Sequence, residues 1–216
     1  MYKSIIFFFL LVTLVVDIRA ENIDSLRHVS DTATGKHLCD VYGDISSYYW
    51  KRNPFLSMEY AKKAMETSKS FPNDTVLHIE VLQLLGDAHW YNNNPANSLE
   101  YALEVLRLKE KRKDSAGVAK TLNNLGVIYS YQGKHDKALE LFQRSMELKK
   151  QINDTISIAS NINNIGQIYF RLDDYETASK YFKQSIRIRK NAGHDEELIS
   201  GYNNLAAVYI RLKSKA

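Results

Sequence analysis

The sequence predicts an all-α fold, an α-solenoid of antiparallel helix pairs, and three observations carry that prediction. The stretch Leu122-Asn123-Asn124-Leu125-Gly126-Val127-Ile128-Tyr129 returns as Ile162-Asn163-Asn164-Ile165-Gly166-Gln167-Ile168-Tyr169, and again as Tyr202-Asn203-Asn204-Leu205-Ala206-Ala207-Val208-Tyr209. Residues 126, 166 and 206 of these copies stand 40 apart. A fixed period of that length marks architectures in which each repeat buries its apolar face only against its neighbours. Between the copies, apolar residues fall at helical spacing and capping residues recur at the joins.

At the N-terminus, Lys3 precedes an unbroken apolar or neutral run from Ile5 to Val16, followed by Asp17-Ile18-Arg19-Ala20-Glu21. As a helix this run rises only ~18 Å, short of a ~30 Å hydrocarbon core. The basic start, the apolar run and the small residue at Ala20 predict a signal peptide over residues 1–20, cut before Glu21. The expected location is therefore outside the cytoplasm, periplasmic or extracellular. No cysteine follows the apolar run, so a lipid anchor on cysteine is not expected.

Residues 21–35 read as a lead-in, with Ile23, Leu26 and Val29 on one helix face and Asp31-Thr32-Ala33-Thr34-Gly35 breaking the pattern. Repeat one covers about 36–73; its first helix carries Leu38, Val41, Ile45 and Tyr49. Asn53-Pro54 opens its second helix, because asparagine caps free N–H groups and proline fits the first helical position. Asn94-Pro95 repeats the device in repeat two, about 74–113. Repeats three and four cover about 114–153 and 154–193. Asp74, Asp114 and Asp154 stand at one phase, each 12 residues before the glycine position, where a carboxylate caps the next helix. Asn73-Asp74-Thr75 and Asn153-Asp154-Thr155 also have glycosylation-sequon form, but their phase favours capping.

The second helices of repeats three and four carry Ala138, Phe142, Ser145 and Met146, then Ala178, Phe182, Ser185 and Ile186. The alanines allow close approach and the phenylalanines fill the space between helices. Gly133 and Asp173-Asp174 suit the turns. Two helices of ~15 residues with short connections are expected in each period. A last, unpaired helix over 194–212 carries Leu205, Val208, Tyr209 and Leu212. It is expected to leave an apolar stripe open and to support self-association.

Composition is ordinary for a globular chain: 44% hydrophobic, 25% charged, net charge +4 from 29 basic and 25 acidic residues. The signs alternate, so no basic stripe points to nucleic acid. The run Lys109-Glu110-Lys111-Arg112-Lys113 reads as a solvated helix end. Cys39 is the only cysteine, which excludes an intrachain disulfide, and it is expected to be a buried structural thiol. His28, His37, His78, His89, His135 and His194 are scattered without metal-ligand spacing. Gly35-Lys36-His37 and Gly133-Lys134-His135 lack the rest of a phosphate loop, and no nucleophile-elbow motif occurs. No enzyme activity, cofactor, metal or small-molecule substrate is expected.

The set Leu125-Gly126, Tyr129, Ala138 and Phe142, repeated as Ile165-Gly166, Tyr169, Ala178 and Phe182, resembles the tetratricopeptide repeat (TPR). The resemblance covers about 36–212. The 40-residue period, against the usual ~34, is similar to the kinesin-light-chain type. Ser46 stands in place of glycine in repeat one, and Ala102 in place of phenylalanine in repeat two. Ile23-Asp24-Ser25-Leu26 and the two Asn-Pro-x-x-Ser-x-Glu-Tyr-Ala segments resemble exported TPR regions of bacterial membrane-anchored sensors. That narrower likeness implies an alternative role, a sensor module whose output domain is absent from this chain.

The TPR resemblance implies a right-handed solenoid whose first helices line a concave, peptide-binding face. On that face it places Asn123, Asn124, Val127 and Tyr131 of repeat three, Asn163, Asn164, Gln167 and Arg171 of repeat four, and Asn203 and Asn204 of the last helix. An asparagine amide both donates and accepts, so these rows suit a peptide backbone. The alternatives are bonds between repeats or to neighbouring backbone that fix their geometry, and simple solvation. Trp90, Tyr91, Tyr131, Phe170 and Arg171 are candidates either for anchoring a ligand or for inter-repeat packing.

Overall fold

A computed structural model describes residues 23–194 and 197–215, and among them every regular element is a helix. The predicted signal peptide lies outside the described residues. Helix α1 spans 23–32; then follow α2 (Gly35–Tyr49), α3 (Pro54–Ser68), α4 (Thr75–Tyr91), α5 (Pro95–Lys111), α6 (Ser115–Tyr131), α7 (His135–Gln151), α8 (Thr155–Arg171), α9 (Tyr175–Asn191) and α10 (Leu198–Lys215). The chain divides into two compact units, Met1–Tyr101 and Ala102–Ala216, with the boundary inside α5.

In the N-terminal unit, α2 packs on α3 and α4, and α3 on α4. Ile23 of α1 is buried with Val41 and Ile45, so the lead-in helix covers the outer side of α2. A second cluster joins Cys39, Ala61, Ala64, Leu77, Val81, Leu85 and Ala88. Cys39 is 3% exposed, and burial pushes its thiol pKa up, as an inert structural cysteine requires. Ser46, standing where later repeats have glycine, is fully buried and donates its Oγ–H to the Ser57 carbonyl at 2.9 Å.

In the C-terminal unit, α6 pairs with α7 and α8 with α9, while α7 packs on α8 and α9 on α10. The glycines of the repeat are required by contact. A Cβ on Gly126 would lie 2.6 Å from Phe142 Cε1, and one on Gly166 2.8 Å from Phe182 Cε1. Ala138 and Ala178 are fully buried beside those rings. Ser145 and Ser185 satisfy themselves by donating to the Ala119 and Ala159 carbonyls at 2.6 and 2.8 Å.

Helices α4 to α9 are each 17 residues long, two more than the sequence suggested, because every connection between them shrinks to three residues. The middle residue of each connection takes a left-handed conformation, Asn93, Lys113, Gly133, Asn153 and Asp173, as does Gly193 after α9, with φ between 55 and 75°. The next N–H then reaches back to the helix just ended, as from Lys134 to the Tyr129 carbonyl at 2.9 Å and from Asp154 to the Lys149 carbonyl at 2.9 Å. This closure satisfies otherwise free carbonyls of the last turn. The caps start the next helices: Asp74, Asp114, Asp154 and Asp174 accept from the N–H three residues on, at 2.8–3.0 Å. Asn53 and Asn94 do the same at 3.2 and 3.3 Å.

One expectation is corrected. Lys109 is not a solvated cation; it is 6% exposed, and at the same phase Lys149 and Arg189 are 4% and 5% exposed. The stem of Lys109 lies against Gly117 at the start of α6, and the Lys149 head reaches the first turns of α8. Lys149 Nζ donates to the Ser157 carbonyl at 3.0 Å and to Asn161 Oδ1, while Asn161 Nδ2 donates to the Phe142 carbonyl at 2.9 Å. Arg189 donates to Ser185 Oγ at 3.0 Å, Ser160 Oγ at 3.2 Å and Glu197 Oε2 at 2.9 Å. Burial lowers the pKa of Lys109, and it pushes Lys149 down to about 8 although Asp154 acts against it.

Candidate functional site

Helices α6, α8 and α10 of the C-terminal unit lie side by side and present their asparagines on one face. Asn164 Nδ2 donates to Asn123 Oδ1 at 3.0 Å, and Asn204 Nδ2 donates to Asn163 Oδ1 at 3.0 Å, each across 41 residues. The second asparagine of one repeat thus bonds the first asparagine of the repeat before it. Asn123 Nδ2 lies 3.5 Å from Asn124 Oδ1, a long contact. Near the ends of the same helices Arg171 Nη1 donates to both the Ser130 carbonyl and Ser130 Oγ, each at 3.3 Å.

These bonds make Asn123, Asn163, Asn164, Asn204 and Arg171 inter-repeat braces. Asn163 is buried, whereas Asn123, Asn124, Asn164 and Asn204 are half-buried and Asn203 is exposed. Each bridge uses one donor or one acceptor of an amide that has two of each, so the rows keep hydrogen-bonding capacity. Beside them the face offers half-buried Val127, exposed Gln167 and Tyr131, the last 53% exposed. The ten predicted residues therefore lie on neighbouring helices, split between bracing and open positions.

Of the other aromatic candidates, Tyr91 and Phe170 pack within their own units. Tyr91 stacks on Trp50 with centroids 5.4 Å apart, joining the ends of α4 and α2. Phe170 tilts against Tyr175 at 5.3 Å. Asn161, fully buried and holding both Lys149 and the Phe142 carbonyl, was missed from the sequence. Its only signal there was a polar residue in an otherwise apolar position of α8. Among the described residues no three His, Cys, Asp or Glu side chains come together to hold a metal ion, and no helix is long and apolar enough to cross a membrane.

On α10, Ile199 and Ile210 are 67% and 69% exposed, with Tyr202 and Tyr209 also exposed. Val208 of the same helix is fully buried in a cluster with Tyr175, Ala178 and Phe182.

Comparison with solved structures places this architecture. The chain is similar to BtubC (BKLC) from P. vanneervenii, with 18% identity and a TM-score of 0.68 over 92% of this chain and 83% of that one. It is similar to a STAND protein with a tetratricopeptide repeat sensor from Pyrococcus horikoshii, with 18% identity and a TM-score of 0.73, spanning 93% of this chain but 31% of that one. A Rap protein complexed with Competence and Sporulation Factor matches with 19% identity and a TM-score of 0.69, over 89% of this chain and 59% of that one. At these identities the likeness concerns the fold. Among curated proteins, none matches the sequence. The Tetratricopeptide repeat family matches residues 81–151 and 156–216, more than half of the chain. With the repeat period, the glycine–phenylalanine contacts and that match in agreement, the chain belongs to the tetratricopeptide repeat family.

Proposed function

We propose that the C-terminal unit is a non-enzymatic scaffold that holds an extended peptide or protein segment across α6, α8 and α10. The observation that carries this reading is the open row beside the braces. Tyr131, Gln167 and Asn203 are exposed and Val127 is half-buried, all next to amides with unused donors and acceptors, and Val127 and Gln167 share one repeat phase. The braces support it too, because a face locked before binding loses less entropy on binding. A protein of this fold complexed with Competence and Sporulation Factor shows the architecture can hold a ligand.

The test is binding to a peptide array by the wild type and by Tyr131→Ala/Gln167→Ala/Asn203→Ala, which leaves every bridge intact. One hydrogen bond contributes ~1 kcal/mol net and an aromatic contact more, so every hit should weaken at least about tenfold. Unchanged binding of every hit refutes the assignment.

We also propose that the chain is exported and begins at Glu21 once processed; N-terminal sequencing of protein recovered outside the cytoplasm tests this. The exposed Ile199 and Ile210 of α10 support self-association. Sedimentation should show a concentration-dependent dimer that Ile199→Ser/Ile210→Ser abolishes, and a wild-type monomer at high concentration rejects it.

A further inference from the structure

The bridged positions of the C-terminal unit have counterparts in the N-terminal unit, occupied by different residues. At the same 40-residue spacing, Asn123 corresponds to Gly43 on α2, and Asn164 to Leu84 on α4. The pair that closes the gap between α6 and α8 is therefore replaced by one residue with no side chain and one that is apolar. A cleft of about 220 Å³ opens there between α2 and α4. It is smaller than the ~300–1,000 Å³ typical of small-molecule sites, a size for one side chain.

Two features give the cleft its chemistry. Its floor is apolar, formed by Leu77, Val81 and Leu84, and its rim carries Asp40, Asp44 and Glu80. All three carboxylates are exposed, and among the described residues none of them has an ion-pair partner. Lys36, one turn before Asp40, is held by Asp74. Beyond the cleft the same helices meet in the Trp50–Tyr91 stack. The glycine has no packing reason. A Cβ on Gly43 would meet only Leu84 Cδ2, at 3.9 Å, whereas Gly126 and Gly166 face phenylalanine rings at under 3 Å. Glycine inside a helix costs ~1 kcal/mol relative to alanine, and here the compensation is open space.

We propose that this cleft receives one lysine or arginine side chain of an extended peptide. The aliphatic stem lies on Leu77, Val81 and Leu84 and the cationic head sits among Asp40, Asp44 and Glu80. The inference rests on reading the first-helix faces as peptide-binding surfaces, and it assigns the N-terminal unit a residue class.

The test uses fluorescence anisotropy of the full processed chain with a labelled hexapeptide of alternating lysine and alanine. Control peptides carry acetyl-lysine or glutamate in place of lysine. The wild type should bind the lysine peptide alone. Gly43→Asn, which keeps every charge but fills the opening, should weaken binding about tenfold, as should Asp40→Asn/Asp44→Asn/Glu80→Gln. Gly43→Ala, whose Cβ the cleft accommodates, should bind within about twofold of wild type and so separates occlusion from a folding defect. No binding at about 1 mM, or a Gly43→Asn variant that binds as wild type does, overturns the proposal. The C-terminal face is scored separately. Array hits lost by its Tyr131→Ala/Gln167→Ala/Asn203→Ala variant, together with no binding of the lysine peptide, would sink the cleft and leave that face standing.

Discussion

Titrating Lys149 tests the buried cation row, because its position fixes both the size and the sign of a pH effect. The side chain is 4% exposed, and its ammonium donates to the Ser157 carbonyl and to Asn161 Oδ1. Burial brings its pKa from 10.5 down to about 8, with Asp154 pulling the other way. Below pH 8 the folded and unfolded chains both hold the proton, and the fold bears the full desolvation penalty. Between pH 8 and 10.5 the unfolded chain binds more protons than the folded one, so stability rises with pH; above 10.5 the penalty is gone. A shift of this size corresponds to ~3 kcal/mol across the window, at 1.36 kcal/mol per unit. The assay is urea unfolding by far-UV circular dichroism at steps through the window, for the wild type and Lys149→Met. Burial raises the phenol pKa values of Tyr91 and Tyr181, which act against stability at high pH, but both proteins share them. Lys109, also lowered by burial, is likewise common to both. The difference between the two curves therefore isolates Lys149. Lys149→Met should be offset by ~1–3 kcal/mol for leaving Asn161 Oδ1 without that donor, and should lack the rise. Parallel curves refute the burial of a charged Lys149.

Three further outcomes follow from the packing. Gly126→Ala puts a methyl 2.6 Å from Phe142 and should destabilise by ~1–3 kcal/mol in denaturant titrations, with part of the loss recovered by adding Phe142→Leu. Lys113→Gly should raise the unfolding midpoint, by up to ~1 kcal/mol, because Lys113 holds φ at 56° where a side chain is strained. Asp154→Ala removes the acceptor for the Ser157 N–H and should cost ~1 kcal/mol, whereas Asp154→Asn retains most of that stability.

What was legible in the sequence was either local or periodic. The caps at Asp74, Asp114 and Asp154 are set by residues three apart on one helix. The glycine–phenylalanine contacts recur at a fixed offset, so two copies were enough to read them. Lys109 was misread because whether a cation at a helix end is solvated depends on where the next helix lies, and no single-helix pattern records that. The asparagine bridges were one of two open readings for the same reason: a bond across 41 residues depends on the lateral register of α6 against α8. Asp173 and Asp174 read together as a turn, but they divide the work. Asp173 supplies the left-handed residue and Asp174 caps α9. Lys113 takes the left-handed position without any local signal for it.

The contrast between Asn123–Asn164 and Gly43–Leu84 shows how a repeat chain can vary its surface without endangering its fold. Both pairs occupy the same repeat phase, one turn before the position that packs on the second helix. Changing the bridge costs about one hydrogen bond, ~1 kcal/mol net, and placing glycine in the helix about as much again. Removing a ring such as Phe142, which is fully buried between the helices of one repeat, would cost ~3–5 kcal/mol. The packing positions are held by the larger penalty and keep the period, while their neighbours on the exposed side face a smaller one and can differ from repeat to repeat. Stacking depends on the first set, so a bridged pair in one unit and an open cleft in the other are compatible with one repeat geometry.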